Sequence, residues 1–243
     1  MQSSNFGKFS STSWTLVFQA ASQNEKSALE ALDEICRNYW PPLYALARHK
    51  GLSPQDAEDA VQTFFSRLCE KKTLENVSQD RGKLRSYFAT IFQNQLIDEH
   101  RSAANQKRKH NISLQAPQLE QEEDWLAKHI KHDITPEKLF DKRWTLTLLE
   151  QVLHNLKQHY QTSGKESRFE HLRPFLQEEG DVEKYESIAE KLGTSLNAIV
   201  VAVSRLRRQY HKLLRATVSQ LLEDQSPDSI EEEIRELLSA LTP

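Results

Sequence analysis

A cluster of cationic side chains near the carboxyl end of the sequence has the chemistry needed to bind phosphate groups. The cluster lies within residues 205–215, a segment that contains no acidic residue. Guanidinium and ammonium groups neutralise the phosphates of a nucleic acid and hold a protein in register on its backbone. The members of the cluster are Arg205, Arg207, Arg208, Lys212 and Arg215.

The segment 185–214, which carries most of this cluster, is predicted to form a helix, a tight turn and a longer helix. Gly193 supplies a residue that enters the left-handed conformation freely, and Ser195 can cap the helix that follows. Apolar residues recur every three or four positions in the second helix and predict its buried stripe. They are Ile199, Val203, Leu206, Tyr210 and Leu213.

The opposite side of the second helix is the surface that a DNA major groove would contact. Val201 lies on that side, where its side chain could pack on a thymine methyl group. An ordinary helical hairpin whose basic side is merely solvated is the alternative interpretation. The candidate DNA-contacting residues are Ser195, Asn197, Ala198, Val201, Ser204, Arg205, Arg208 and Lys212.

A second motif, in residues 53–71, joins a strong helix start to an acidic surface. Ser53 is a capping residue, and Pro54 suits the first helical position. Acidic side chains at this end of a helix interact favourably with its dipole, so capping chemistry is one interpretation. Their number exceeds what a cap requires, however, and an exposed acidic surface suits a basic protein partner. The surface consists of Asp56, Glu58, Asp59 and Gln62.

Residues 80–109 combine cationic and aromatic side chains on a third predicted helix. Cations outnumber acids in this segment. Aromatic rings beside cations are suited to hold unstacked bases in a charged groove. Tyr87, whose ring ends in a polar hydroxyl, is the better candidate for such a contact, and Phe88 is predicted to lie in the core.

In this order, the three motifs resemble those of a bacterial RNA polymerase sigma factor of the extracytoplasmic-function (ECF) type. The acidic motif reads D-A-E-D-x-x-Q over residues 56–62, and the basic helix passes through N-x-x-I-D at residues 94–98. The helix-turn-helix comes last. Further stretches at 39–44 (YWPPLY), 143–150 (RWTLTLLE) and 202–215 (AVSRLRRQYHKLLR) are similar to a long subgroup with a C-terminal extension.

The resemblance implies roles for these surfaces. The acidic surface would bind core RNA polymerase, residues 83–101 would melt the minus-ten promoter element and capture a flipped base, and the second helix of the helix-turn-helix would read the minus-thirty-five element. The implied partners are core RNA polymerase and promoter DNA, with an anti-sigma factor or other regulatory protein as a further candidate. No cofactor or metal is implied. The minus-ten candidates are Lys83, Arg85, Ser86, Tyr87, Asn94, Asp98 and Arg101.

The predicted fold is all-α, with two small helical domains joined by a linker, and the helix-turn-helix lies in the second. A chain of 243 residues is long enough for two such domains. Because prolines lack the backbone N–H, Pro41 and Pro42 are predicted to interrupt the helix that begins near residue 25. The predicted divisions are a polar tail (1–12), an N-terminal domain (13–105), a linker with a short helix at 125–132 (106–141), a C-terminal domain (142–220) and an extension (221–243).

The extension is predicted to form an amphipathic helix after Ser226 and Pro227. Three arrangements remain open for it: the helix caps the C-terminal domain, pairs with a partner, or folds back on the basic patch. Its predicted apolar side consists of Ile230, Ile234, Leu237, Leu238 and Leu241.

Charge and composition argue against several other classes of protein. The net charge of −3 conceals separate basic and acidic stretches, as expected of an adaptor with one DNA surface and one protein surface. Cys36 and Cys69 form no CxxC pattern, and His129 and His132 lack further ligands nearby, so neither a disulfide nor a metal site is expected. Since no catalytic motif, signal sequence or membrane-spanning run is recognisable, we expect a cytoplasmic protein without enzymatic activity. A helix-turn-helix regulator that binds duplex DNA without joining the polymerase is the alternative function.

Overall fold

The computed structural model describes residues 17, 19–20, 25–69, 83–102, 119–130, 134–177 and 181–242. Within these ranges the chain is helical and contains no strand, which confirms the predicted fold class. The predicted tail 1–12 lies outside the described residues. The helices are α1 (Glu25–His49), α2 (Pro54–Cys69), α3 (Leu84–Ser102), α4 (Leu119–His129), α5 (Pro136–Thr162), α6 (Glu166–Leu172), a 3-10 helix (Arg173–Leu176), α7 (Val182–Lys191), α8 (Leu196–Ser219) and α9 (Pro227–Ser239).

Side-chain caps define several helix starts. The Ser53 hydroxyl oxygen accepts a hydrogen bond from the N–H of Asp56 at 3.1 Å, just before α2. The hydroxyl oxygen of Ser195 does the same for Ala198 at 3.3 Å before α8, and Ser226 caps α9. Each cap satisfies a backbone donor that the first helical turn leaves unpaired. These three starts agree with the sequence prediction.

Helix α1 runs without interruption through Pro41 and Pro42, so the predicted break is wrong. A proline inside a helix removes a hydrogen bond and costs about 3 kcal/mol. Packing offsets this cost, because both prolines are buried and the side chains of Trp40, Leu43 and Tyr44 are almost fully enclosed. Burial of a large apolar side chain contributes about 1.5–3 kcal/mol.

The first hydrophobic core is built mainly by α1, α2, α3 and the first half of α5. Tyr39 and Phe88 meet edge to face, with ring centroids 4.7 Å apart. Phe64 lies 5.6 Å from Phe88 and 5.5 Å from Phe92 in the same geometry. Such pairs stabilise a core beyond the burial of their area, and here they fix α3 against α1 and α2. Phe88 is therefore a core residue, as predicted.

Helix α5 contributes to both hydrophobic cores. It begins after Thr135, whose side chain accepts a hydrogen bond from the N–H of Lys138. It places Trp144 and Val152 in the first core, and Leu156 lies in the second. The predicted border between linker and C-terminal domain, at residues 141 and 142, falls inside this helix.

The second core unites α6, the 3-10 helix, α7 and α8 around the end of α5. Helix α6 ends at Leu172. Pro174 lacks the N–H that a continued α-helix would use, and the chain changes to a 3-10 helix at this point. Tyr210 and Leu213 of α8 pack against both cores.

Helix α4, in the predicted linker, starts and ends earlier than the helix predicted at 125–132. Glu122 of α4 is 4% exposed, and its carboxylate accepts a hydrogen bond from Nε of Arg143 at 2.8 Å. Glu123 accepts two further bonds at 2.8 Å from Nε and Nη2 of Arg48 in α1. Two ion pairs therefore hold this part of the predicted linker against α1 and α5.

Candidate nucleic-acid interface

Helices α7 and α8 form the predicted helix-turn-helix. Gly193 occupies the turn with φ +60°, a conformation that a side chain would strain. The N–H of Gly193 donates to the carbonyl oxygen of Glu190 at 3.1 Å, and the N–H of Thr194 donates to that of Ala189 at 2.9 Å. These bonds satisfy the last carbonyl groups of α7, and Ser195 then caps α8.

The face of α8 that was predicted to meet DNA is exposed. Val201 is 44% exposed and has the equally open Val200 beside it, while Ala198 is half-buried. On the opposite side, Ile199 and Val203 are buried in the second core. The other exposed candidates are Ser195, Asn197, Ser204, Arg205, Arg208 and Lys212.

The cations of α8 have different surroundings. Arg205 and Arg208 are exposed on the outward face. Nε of Arg207 donates to a backbone carbonyl of the 3-10 helix at 2.9 Å, so this side chain holds α8 against the 3-10 helix. Nε of Arg215 lies 2.5 Å from a carboxylate oxygen of Glu231 in α9. Arg205 and Arg208 are thus well placed for a phosphate contact.

A cleft of about 320 Å³ opens beside the outward face of α8. Arg205 lines it from α8, Arg168 from α6, and Lys165 from the loop before α6. Three cations around one hollow create a positive potential that attracts anions. The sequence gives no signal that Lys165 and Arg168 belong to this surface, because only the folded chain brings them next to α8.

The acidic face of α2 is a continuous polar surface. Asp56 and Asp59 are exposed, and Glu58 and Gln62 are partly exposed. The carboxylate of Asp56 accepts a hydrogen bond from the Ser53 hydroxyl at 2.7 Å, and the Gln62 amide donates to Glu58 at 3.2 Å. Asp56 therefore takes part in the helix cap, whereas Asp59 does not.

The minus-ten candidates differ in their exposure. Arg85 is only 7% exposed, because α9 lies across it. Arg85 contacts Glu233 of α9, which lies 148 positions further along the chain. No local sequence pattern could therefore reveal this burial. The side chain of Arg101 lies outside the described residues. Among the remaining candidates, Ser86, Asn94 and Asp98 are exposed, and Lys83 and Tyr87 are partly buried.

Two glutamates of α9 hold Lys83 and Arg85. The carboxylate of Glu233, a residue that is 4% exposed, accepts a hydrogen bond from Nη1 of Arg85 and lies 2.8 Å from Nζ of Lys83. Glu236 accepts hydrogen bonds from Lys83 and, at 2.9 Å, from Nη2 of Arg85. The guanidinium of Arg85 also lies 5.1 Å from the ring centroid of Trp144. The two cations and two carboxylates form one network, named the α9 clasp below.

Pairing and burial shift the pKa values around the α9 clasp in opposite directions. The hydrogen bond from Lys83 lowers the pKa of Glu236 below its ordinary value of 4.5. Burial raises the pKa of Asp141, whose carboxylate lies 4.0 Å from Arg85, and that guanidinium partly opposes the rise. Glu236 is therefore ionised at neutral pH, as a salt bridge requires.

The apolar side of α9 packs on the first core. Leu237 is 5% exposed, and Ile230 and Ile234 are partly buried against the same core. Leu238 was predicted to lie on this side but is 44% exposed. The sequence left three arrangements open, and the structure combines two of them: α9 packs on α8 of the predicted C-terminal domain and folds back on the cations Lys83 and Arg85.

The described residues contain neither a cluster suited to a metal ion nor a helix suited to cross a membrane. Among the described residues, no group of three or more His, Cys, Asp and Glu side chains is arranged to hold a metal ion. His129 is stacked on Trp125 and bonds through Nδ1 to the carbonyl oxygen of that residue at 2.7 Å, and His132 lies outside the described residues. None of the helices in the described part of the chain combines the length and apolar character that crossing a membrane requires.

Residues 35–106 match the family model for Sigma-70 region 2. The matched segment contains the second part of α1 and all of α2 and α3, and thus both the acidic face and the minus-ten candidates. The match supports a sigma-70 family sigma factor, with RNA polymerase and promoter DNA as the partners of this region. No curated protein and no solved structure matches the chain.

Proposed function

We propose that this chain is a sigma factor of the ECF type, which binds core RNA polymerase and directs transcription initiation at specific promoters. The match of residues 35–106 to Sigma-70 region 2 is the observation that carries the proposal. Within that segment, α2 presents an acidic face, and cations lie at the start of α3. An acidic face repels DNA and attracts a basic protein surface, as expected of a subunit that joins DNA to polymerase.

The acidic face of α2 is the proposed contact with the polymerase. Asp59 has the most suitable position, because it is exposed and takes no part in the helix cap. Asp56 and Glu58 extend the same surface. Complementary charge of this kind increases the rate of association and favours the correct partner.

The outward face of α8 is the proposed reader of the minus-thirty-five element. Arg205 and Arg208 would contact phosphates, and Val201 would pack against a thymine methyl in the major groove. The cations of the neighbouring cleft, Lys165 and Arg168, add positive charge where the DNA backbone would pass.

The start of α3 is the proposed site for the melted minus-ten strand. Lys83 and Arg85 would neutralise its phosphates, and the partly exposed ring of Tyr87 would stack on an unpaired base. Asn94 and Asp98, both exposed on α3, fall on recurrent polar positions of the family's minus-ten segment.

A reconstituted transcription assay tests this function. The purified chain is added to bacterial core RNA polymerase with fragmented genomic DNA, and the 5′ ends of the transcripts are sequenced. We expect new start sites that share upstream sequence elements and are missing when core enzyme is used alone. A chain that bound duplex DNA in a mobility-shift assay but produced no new start sites would be a regulator, and the proposal would be wrong.

A further inference from the structure

Lys83 and Arg85 have two partners, the phosphates of a melted DNA strand and the glutamates of α9. They cannot bind both at the same time. Under the proposed function, on which this inference rests, both side chains bind phosphates of the melted minus-ten strand. In the structure their nitrogen atoms are bonded to Glu233 and Glu236 of α9. Arg85 is 7% exposed, so a phosphate cannot reach its guanidinium while α9 is in place.

The side of α9 that faces these cations is negatively charged, as a nucleic-acid strand is. Its carboxylates accept charge-assisted hydrogen bonds from guanidinium and ammonium groups, as phosphate oxygens do. Glu233 and Glu236 lie one helical turn apart and together bind both cations. The α9 clasp therefore satisfies the groups that would otherwise bind DNA.

We propose that α9 is an autoinhibitory helix, which occupies the minus-ten surface and must leave before the melted strand can bind. The non-helical residues 220–226 separate α9 from α8, so α9 can leave once its contacts with α5 and α8, including the Arg215–Glu231 pair, are broken. The chain then exists in closed and open states, and only the open state binds the melted strand. The apparent affinity for that strand is reduced in proportion to the open fraction.

Removal of the two carboxylate charges should favour the open state. A buried cation that loses its counter-charge is strongly unfavourable, whereas the same cation is well solvated once α9 has left. The double variant E233Q/E236Q keeps the size of both side chains and removes both negative charges from the α9 clasp. Its matched control is E223Q/E232Q, which removes the same charge from two exposed residues near or on α9 that take no part in the α9 clasp.

The variants are compared as full-length chains in reconstituted holoenzyme. The probe is a fluorescent single strand that carries the minus-ten region of a promoter identified by the transcription assay, and its binding is followed by anisotropy. We expect E233Q/E236Q to lower the apparent Kd by about tenfold, in proportion to its larger open fraction. The control E223Q/E232Q should bind like the wild type. Circular dichroism checks that each variant is folded.

Hydrogen exchange of the wild-type holoenzyme provides a test that needs no variant. We expect the backbone amides of α9 to exchange faster when the same single strand is bound at saturation, since strand and helix compete for Lys83 and Arg85. The amides in the first half of α8 should be unaffected, because this half packs on the second core and not on α9.

The outcomes separate this inference from the proposed function. If the wild-type holoenzyme starts transcription at specific sites but α9 keeps its protection with the strand bound, the inference is wrong and the function stands. The same conclusion follows if folded E233Q/E236Q binds the strand no more tightly than E223Q/E232Q. If neither the wild type nor the variants direct specific initiation, both the function and the inference are wrong.

Discussion

Among single residues, Arg208 distinguishes phosphate binding from base reading. It is exposed on the outward face of α8. If it contacts a phosphate, R208A should weaken duplex binding equally for all sequences and reduce the slope of log K against log salt concentration by about one. Fluorescence anisotropy with two unrelated promoter duplexes and a scrambled one, over a salt series, measures both effects.

The matched control for R208A is R37A, which removes an exposed arginine that pairs with Asp33 on α1. It changes the net charge equally but should leave duplex affinity and its salt dependence unchanged. A loss for R208A that was confined to one base position would instead identify Arg208 as a base reader.

Glu123 holds α4 on α1 through an ion pair that depends on pH. Arg48 donates two hydrogen bonds of 2.8 Å to its carboxylate, and the Tyr44 hydroxyl donates one of 2.6 Å. The bond from Arg48 lowers the pKa of Glu123 below its ordinary value of 4.5. A carboxyl with a depressed folded-state pKa stabilises the fold above its unfolded-state pKa. That contribution is lost as the pH falls through the folded-state pKa.

We expect E123Q to lower the free energy of unfolding by about 1 kcal/mol at pH 7, because the pair is partly exposed. The difference from wild type should vanish once the pH is well below 4.5. Urea unfolding at a series of pH values measures it, with D124N, an exposed neighbour on α4, as the control. A deficit that persisted at low pH would point to packing rather than charge.

Among the helices, α2 carries the surface that is proposed to bind polymerase. D59K tests it more cleanly than a change at Asp56, since Asp56 also bonds to the capping residue Ser53. We expect D59K to weaken binding to core polymerase by about tenfold or more, because like charges would meet across the interface. Its affinity for minus-thirty-five duplex should be unchanged. Surface plasmon resonance with immobilised core enzyme measures the first quantity, and anisotropy measures the second.

The control for D59K is E30K, which reverses an exposed acid on α1 outside the segment that matches Sigma-70 region 2. E30K should bind the polymerase like the wild type. Equal losses of polymerase and duplex affinity in D59K would indicate misfolding, and an unchanged polymerase affinity would contradict the assigned role of α2.

Helix starts were predictable where the capping residue and its hydrogen-bond partner lie within one helical turn of each other. The caps Ser195 and Ser226 bond to residues three positions ahead, so the sequence alone contains both partners. The break predicted at Pro41 and Pro42 was wrong because its outcome depends on residues far away in the sequence. The packing that keeps α1 intact comes from other helices, which enclose Trp40 and its neighbours.

For the molecule as a whole, the chemistry of the candidate site was predictable but its accessibility was not. Val201 and Arg208 are exposed as expected, since the periodicity of α8 separates its buried and outward faces. Arg85 is only 7% exposed, and charged residues are seldom buried without a partner. Its partner Glu233 is 148 positions away, and only the folded chain brings the two together.

The two hydrophobic cores are joined by shared helices, and this connection should make unfolding cooperative. Helix α5 contributes Val152 to the first core and Leu156 to the second. In α8, Tyr210 and Leu213 pack against both. Damage to the second core should therefore lower the stability of the first.

L156A tests this connection, because the side chain is fully buried in the second core while Trp40, Trp125 and Trp144 report on the first. A buried Leu→Ala change costs about 2–5 kcal/mol, which corresponds to a fall in Tm on the order of 10 °C. We expect tryptophan fluorescence and far-UV circular dichroism to shift together by that amount, whereas L29A, at a site that is 67% exposed, should shift neither. If the fluorescence midpoint stayed in place while part of the dichroism signal melted early, the cores would unfold independently, and the helices they share would not couple them.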